Sequence, residues 1–135
     1  MKDLFIKPIG VLRTQYSEAG KVPANREAAS RSMLSVAELD ENYASGLSGL
    51  APGTHVWLIY FHQRFRPVNA EKSDSGVFVT RNPVRPNPLG VSLVEVVKVE
   101  YNRLYFNYAD MPDGSPLIDI RPYIASEDSP SAELD

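Results

Sequence analysis

The chain has 135 residues. That is enough for one domain with a sizeable core, and too few for a doubly wound nucleotide fold with a separate substrate domain. Apolar residues at 43% and charged residues at 23% exclude wholesale disorder, and no apolar run reaches the roughly 20 residues of a membrane helix. Cysteine is absent, so disulfides, thiolate zinc sites and cysteine nucleophiles are excluded. The two histidines, His55 and His62, stand seven apart, which is not the spacing of a helical ligand pair, and no metal is expected. Met1 to Gly10 lacks the basic start, apolar core and small-residue cleavage site of a secretory signal, so a cytoplasmic location is expected.

The net charge of −3 hides two opposed regions. Ser126 to Asp135 carries four acids (Glu127, Asp128, Glu133, Asp135) and no base. Without these four acids, 14 bases face 13 acids. Between Tyr60 and Gly90 the balance turns basic: Arg64, Arg66, Lys72, Arg81 and Arg85 stand against Glu71 and Asp74. An anionic partner fits that stretch, although the sequence pI of about 5.4 adds nothing to it.

In chain order, Phe5 to Leu12 reads as a first strand, Ser17 to Ser30 as a loop and Ser32 to Val36 as a short strand. Asp40 is a cap for one or two helical turns through Ser45, with Gly46 as the stop. His55 to Phe61 (HVWLIYF) is apolar on both phases, the pattern of a fully buried strand. Arg64 to Ser75 reads as a loop. Gly76 to Thr80 (GVFVT) and Val91 to Val99 (VSLVEVVKV) are β-branched strands, the second changing phase at Val96-Val97 as at a bulge. Arg103 to Ala109 alternates cleanly. Pro112-Asp113-Gly114 has turn chemistry, and Pro116 to Ile120 is a last short strand. Many short strands with little helix predict an all-β barrel or sandwich of one domain over residues 1–125, followed by a disordered acidic tail over 126–135.

Three segments concentrate chemistry. Thr80 to Ser92, TRNPVRPNPLGVS, has three prolines in six residues directly after a strand. Proline fixes φ, so the loop loses little entropy when it organises a site; it presents Arg81, Asn82, Arg85 and Asn87. A plain β-connection whose arginines pair with nearby acids is the equal alternative. Tyr60 to Pro67, YFHQRFRP, ends an aromatic strand in His62-Gln63, then Arg64 and Arg66. His62 is a ligand or proton acceptor, or simply a hydrogen-bonded strand end. Met111 to Tyr123, MPDGSPLIDIRPY, gathers Asp113, Ser115, Asp119 and Arg121 around a turn, and from this segment alone a hairpin turn with a surface salt bridge is the preferred reading. No G-x-G-x-x-G, Walker loop, G-x-S-x-G or paired-carboxylate site is present.

Together and in this order, GVFVTRNPVRPNPLGVS, DGSPLIDIRPY, FHQ, EL…Y…GLSGL and Pro23 resemble the TsaA-like, also called YaeB-like, family of S-adenosylmethionine-dependent tRNA methyltransferases (TrmO). The resemblance runs from Pro8-Ile9-Gly10-Val11 to Pro122-Tyr123. It implies a single-domain β-barrel with at most one or two short helices, a homodimer, S-adenosylmethionine as cofactor and tRNA as partner. The implied reaction is methylation of N6 of N6-threonylcarbamoyladenosine beside the anticodon. The cofactor positions implied are Pro23, Asn25, His62, Gln63, Arg81, Leu93, Asp113, Gly114, Ser115 and Pro116. Here the family's Pro-Arg-Gln reads Pro23-Ala24-Asn25, and Ser115 stands in place of a threonine. Arg66, Arg85 and Asn87 are the expected substrate contacts, and no residue is assigned as catalytic base. A cofactor-binding module without transferase activity, or a methyltransferase on another substrate, stands as the alternative.

Overall fold

The structure, a computed structural model, describes residues 1–17, 22–23, 29, 33–63 and 76–130. Six antiparallel strands close a barrel: β1 (Gly10–Arg13), β2 (Ser35–Leu39), β3 (His55–Phe61), β4 (Leu89–Glu100), β5 (Arg103–Asn107) and β6 (Ser115–Pro122). Their order around the wall is β1-β2-β5-β4-β3-β6. Closure follows from β1, which pairs with β2 on one side (Gly10 opposite Leu39) and β6 on the other (Gly10 opposite Leu117). Closing a sheet leaves no unpaired edge, so a short chain satisfies its backbone polar groups without helices to cover them.

The period-2 pattern puts alternate residues inside. Leu12, Ala37, Leu39, Val56, Leu58, Val94, Val96, Leu104, Phe106 and Leu117 fill the interior. All buried serines among the described residues, Ser35, Ser92 and Ser115, lie toward one end, with the Tyr60 hydroxyl. The barrel is therefore apolar through its length and polar at one mouth.

The antiparallel order determines what gathers at that mouth. β1, β3 and β5 end there, and β2, β4 and β6 start there. The connections that follow Arg13, Phe61 and Asn107 thus leave from one end, and these carry Pro23, His62 to Pro88, and Asp113-Gly114.

Several sequence expectations change. HVWLIYF is not buried on both faces: Val56, Leu58 and Tyr60 point inward, while Trp57, Ile59 and Phe61 are half-buried on the outer wall. GVFVT is no strand. Val77–Val79 form a 3₁₀ turn, held by Val79 N donating to Gly76 O and Thr80 N to Val77 O, at 3.1 Å each. A β-branched run needs a partner edge, and a closed barrel offers none. Phe78 and Val79 are left 78% and 83% exposed. The first strand shrinks to Gly10–Arg13, because only there do both neighbours pair, and Phe5 is fully exposed. The second starts at Ser35, later than expected.

Asp40 caps as expected, its Oδ1 accepting from Asn42 N at 2.9 Å. The short 3₁₀ helix runs through Gly46 to Leu47, and the turn falls at Gly49 (φ 92°). The phase change in β4 is a bulge, its register to β5 shifting between Val96 and Lys98. β5 stops at Asn107, because Tyr108 adopts φ 70° and leaves the ladder. The acidic stretch from residue 126, expected without fixed structure, opens on a helical turn, α1 (Ala125–Asp128). Asp128 Oδ2 there accepts from Ile124 N at 2.8 Å and Trp57 Nε1 at 3.2 Å. Residues 131–135 lie outside the described residues. Among the described residues no helix is long and apolar enough to cross a membrane.

Candidate functional site

At the mouth, the Asp113-Gly114 turn is built from both sides. Thr14 N donates to Asp113 Oδ1 (3.0 Å), Asp113 N to Tyr16 O (2.8 Å) and Gly114 N to Leu12 O (2.8 Å). Gly114 takes φ 85°, a conformation that L side chains rarely adopt. Ser115 is buried, and its hydroxyl donates to Pro112 O at 2.6 Å, so it braces the turn from within. Pro116 follows as the first outward residue of β6, half-buried and paired with Val11.

The segment after β3 meets this turn. Gln63 Nε2 donates to Gly114 O at 3.2 Å. His62 N donates to Pro88 O at 2.7 Å, which ties the end of the proline loop to the same place. Three stretches far apart in sequence are joined by these two bonds. Arg81 is exposed on the loop, where its charge acts on Asp110. Arg85 lies differently from the expectation: its Nη1 donates to Thr80 O (3.0 Å) and Asn82 O (3.1 Å), bracing its own loop. Asn82 adds an Asx turn, its Oδ1 accepting from Val84 N at 3.0 Å. Asn87 is exposed beside Pro88, and its carbonyl accepts from Leu89 N at 2.7 Å.

One expected residue does not join this group in one chain. Leu93 lies on the outer wall of β4, opposite Trp57 and four residues along the strand from Leu89, about 13 Å at strand rise. The same outer wall carries a groove of about 350 Å³, lined by Trp57, Ile59, Val91 and α1 among others. Pro23 is half-buried in the connection after β1. Asn25 and Arg66 lie outside the described residues.

The sequence reading missed a polar chain just inside the mouth. Tyr60 Oη and Ser92 Oγ are 2.9 Å apart, and Ser92 Oγ donates to Asp110 Oδ1 in a short hydrogen bond. Tyr60 also packs edge-on against the His62 ring, centroids 5.1 Å apart. Burial raises the Tyr60 hydroxyl above its usual pKa, with the Asp110 charge adding to it. Burial likewise raises Asp110, outweighing the Ser92 hydrogen bond and Arg81. One signal was legible: Ser92 is a polar residue on the inward phase of Gly90, Ser92, Val94, Val96.

Burial lowers the His62 pKa below its ordinary 6.5. A neutral imidazole is therefore the resting form near pH 7, able to accept a proton or hydrogen bond. A depressed histidine supports folding fully above pH 6.5 and withdraws that support as pH falls toward its folded value. Urea melts at pH 7.5 and 5.5 are expected to show a larger acid loss of stability for the parent chain than for His62→Asn; equal losses would contradict it.

A family model for the tRNA-methyltransferase O N-terminal domain matches residues 11–129. The chain belongs to this family. Among relatives, an S-adenosyl-L-methionine-binding protein of Archaeoglobus fulgidus is 35% identical over 89% of this chain and 89% of its own length. A tRNA (adenine(37)-N6)-methyltransferase of Escherichia coli is 32% identical, over 96% of this chain and 61% of its own. The crystal structure of TrmO from Pseudomonas aeruginosa superposes with a TM-score of 0.83 at 30% identity, over 97% of this chain and 60% of that one. The family barrel is thus shared throughout, while the chain spans about three fifths of these two longer relatives.

Proposed function

We propose that the mouth of the barrel binds S-adenosylmethionine, and that the protein methylates N6 of N6-threonylcarbamoyladenosine next to the tRNA anticodon. The observation that carries this reading is the convergence at Gly114: Gln63 binds its carbonyl while the neighbouring His62 binds the proline loop. The donor set fits the cofactor. Carbonyls and carboxamides suit adenine and ribose, Asp113 suits hydroxyl or ammonium groups, and the exposed Arg81 suits a carboxylate. When bound, S-adenosylmethionine supplies a methyl on a sulfonium, open to in-line displacement. The chain's contribution is then orientation, worth ~7–11 kcal/mol in the best cases. The stiff proline loop and the doubly anchored Asp113 turn suit that task.

In this reading Pro23, Asn25, His62, Gln63, Arg81, Asp113, Gly114, Ser115 and Pro116 form one protomer's share. Leu93, on the outer wall, belongs to a pocket completed by a second chain. The half-buried Trp57 and Ile59 and the 55% exposed Val91 support a homodimer across that wall. Light scattering at twice 15.0 kDa checks it. The substrate is a cytoplasmic tRNA, met by Arg66, Asn87 and backbone phosphate contacts, with Arg85 acting through the loop it braces. Binding is then expected to weaken as salt rises.

Arg81→Ala is expected to weaken S-adenosylmethionine binding by about 1.5–3 kcal/mol, the worth of a charged hydrogen bond, as read by calorimetry. The deciding experiment incubates protein, cofactor and threonylcarbamoylated tRNA and reads the nucleosides by mass spectrometry. Methyl is expected on N6 of the modified adenosine and absent from the same tRNA without the threonylcarbamoyl group. The alternative is a binding module without transferase activity; the Archaeoglobus relative, matched over most of its length, is named for binding alone. Cofactor binding without methyl transfer would establish it.

A further inference from the structure

Tyr60 and Ser92 are buried inside a largely apolar barrel, yet both carry hydroxyls. Packing alone does not call for them. A phenylalanine fills nearly the same space as a tyrosine, and each buried hydroxyl carries a desolvation cost that its hydrogen bond offsets. What the hydroxyls add is position. Ser92 gives its one proton to Asp110, which leaves its oxygen to accept from the Tyr60 hydroxyl. Asp110 is anchored in turn through its neighbour: Met111 is fully buried, and its carbonyl accepts from Thr14 Oγ1 at 2.9 Å. The far end of the tyrosine ring is therefore tied to the wall. Its side lies against Gly90, whose backbone leaves no room there even for a Cβ.

The ring so held meets His62. The two ring centroids are 5.1 Å apart and their planes 72° apart, an edge-to-face contact. The His62 main chain is fixed separately, its N donating to Pro88 O at 2.7 Å. The next residue, Gln63, bonds Gly114 O. The backbone of His62 is thus set by the proline loop, while the tyrosine ring stands against its imidazole, where three segments of the mouth converge.

We propose that Tyr60, anchored through Ser92 to Asp110, is a positioning residue that fixes the plane of the His62 imidazole for contact with the bound cofactor. The ligand is that of the proposed function, on which the inference rests; the ring geometry stands without it. A planar group is selective only when its plane is held by the groups behind it. Tyr60 acts through His62.

The ligand-free test is proton NMR of the full chain at pH 8, where burial keeps the His62 imidazole neutral. The chain has two histidines, so His62→Asn assigns the signals, and His55 at the opposite end of β3 serves as internal reference. The tyrosine ring imposes a ring-current shift on the His62 ring protons, and Tyr60→Leu is expected to abolish it. Ser92→Ala keeps both rings and removes the anchor; it is expected to leave a smaller shift and an unmoved His55. Tyr60→Phe removes the same bond from the other side, leaves Ser92 with Asp110, and is expected to act alike, so the result does not hang on one variant folding. A His62 signal unchanged in both would overturn the proposal, even if the protein binds no cofactor at all.

Calorimetry with S-adenosylmethionine separates positioning from general loosening. Tyr60→Phe is expected to bind it roughly fivefold more weakly than the parent chain, within the range for residues coupled by contact. In a His62→Asn background the same change is expected to cost no further affinity, because the group it positions is gone. No loss in Tyr60→Phe, or an equal loss in both backgrounds, would overturn the proposal. Absence of binding by the parent chain would strike the functional reading instead, and the His62 signals then decide the positioning by themselves.

Discussion

Gly90→Ala is expected to lower stability by about 3 kcal/mol, the upper end of what overpacking costs in a core. Gly90 lies opposite Tyr60 across β3 and β4. A Cβ there would stand 2.3 Å from Tyr60 Cζ and 2.7 Å from its hydroxyl oxygen. A flexible exposed side chain would move aside at little cost. Tyr60 is buried, bonded to Ser92 and packed on His62, so its ring is not free to move. Displacing it also breaks the buried Tyr60–Ser92 hydrogen bond, which adds a desolvation penalty. For a domain of this size the melting temperature is expected to fall by roughly 10 °C. The cause is separable: in a Tyr60→Leu background, Gly90→Ala is expected to cost markedly less. Equal costs in both backgrounds would show that the ring is not what the new methyl meets.

Gly10→Ala is expected to cost about 3 kcal/mol or more by a different route. The new Cβ would lie 2.3 Å from the Glu38 carbonyl oxygen and 2.8 Å from Leu39 Cα, both backbone atoms of the neighbouring strand. No rotamer change relieves that contact; β1 and β2 must separate. β1 is four residues long and closes the barrel, so the strain falls on the weakest seam. It also reaches the site, because Leu12 O holds Gly114 N and Thr14 N holds Asp113. Hydrogen exchange is expected to quicken at the Thr14 and Gly114 amides as well as at β1. Gly46→Ala is the control. Nothing lies within 4 Å of a Cβ there, and its effect is expected within about 0.5 kcal/mol of zero. A similar cost at positions 10 and 46 would mean that propensity, not contact, sets the effect.

β5 and most of β4 were legible in the residue order. Arg103 to Asn107 and Val91 to Val99 carry their inward phase in the residue order, and the bulge near Val97 shows as a break in that phase. The turn at Asp113-Gly114 was equally local, since Gly114 takes the positive φ that its neighbours would resist. Those features depend on residues within a few positions of each other, which is what a one-dimensional pattern records. GVFVT misled for the complementary reason. Its β-branched residues favour an extended chain only beside a partner, and the barrel was already closed by six other segments.

The residues of the three signatures were also legible, but their meeting was not. Gln63 and Gly114 are 51 positions apart, and only the antiparallel strand order brings them to one mouth. The same order turned Leu93 to the outer wall and gave Arg85 its own loop to hold. Asp110 stayed hidden for a further reason: its neighbours Tyr60 and Ser92 lie 50 and 18 positions away. Asp110 becomes a directed acceptor only when pairing of β3 with β4 brings Tyr60 and Ser92 together beside it. Sequence by itself determined the strands, the turn and the chemistry carried to the mouth; closure of the barrel decided which of those groups face each other, because long-range pairing alone sets the distances between them.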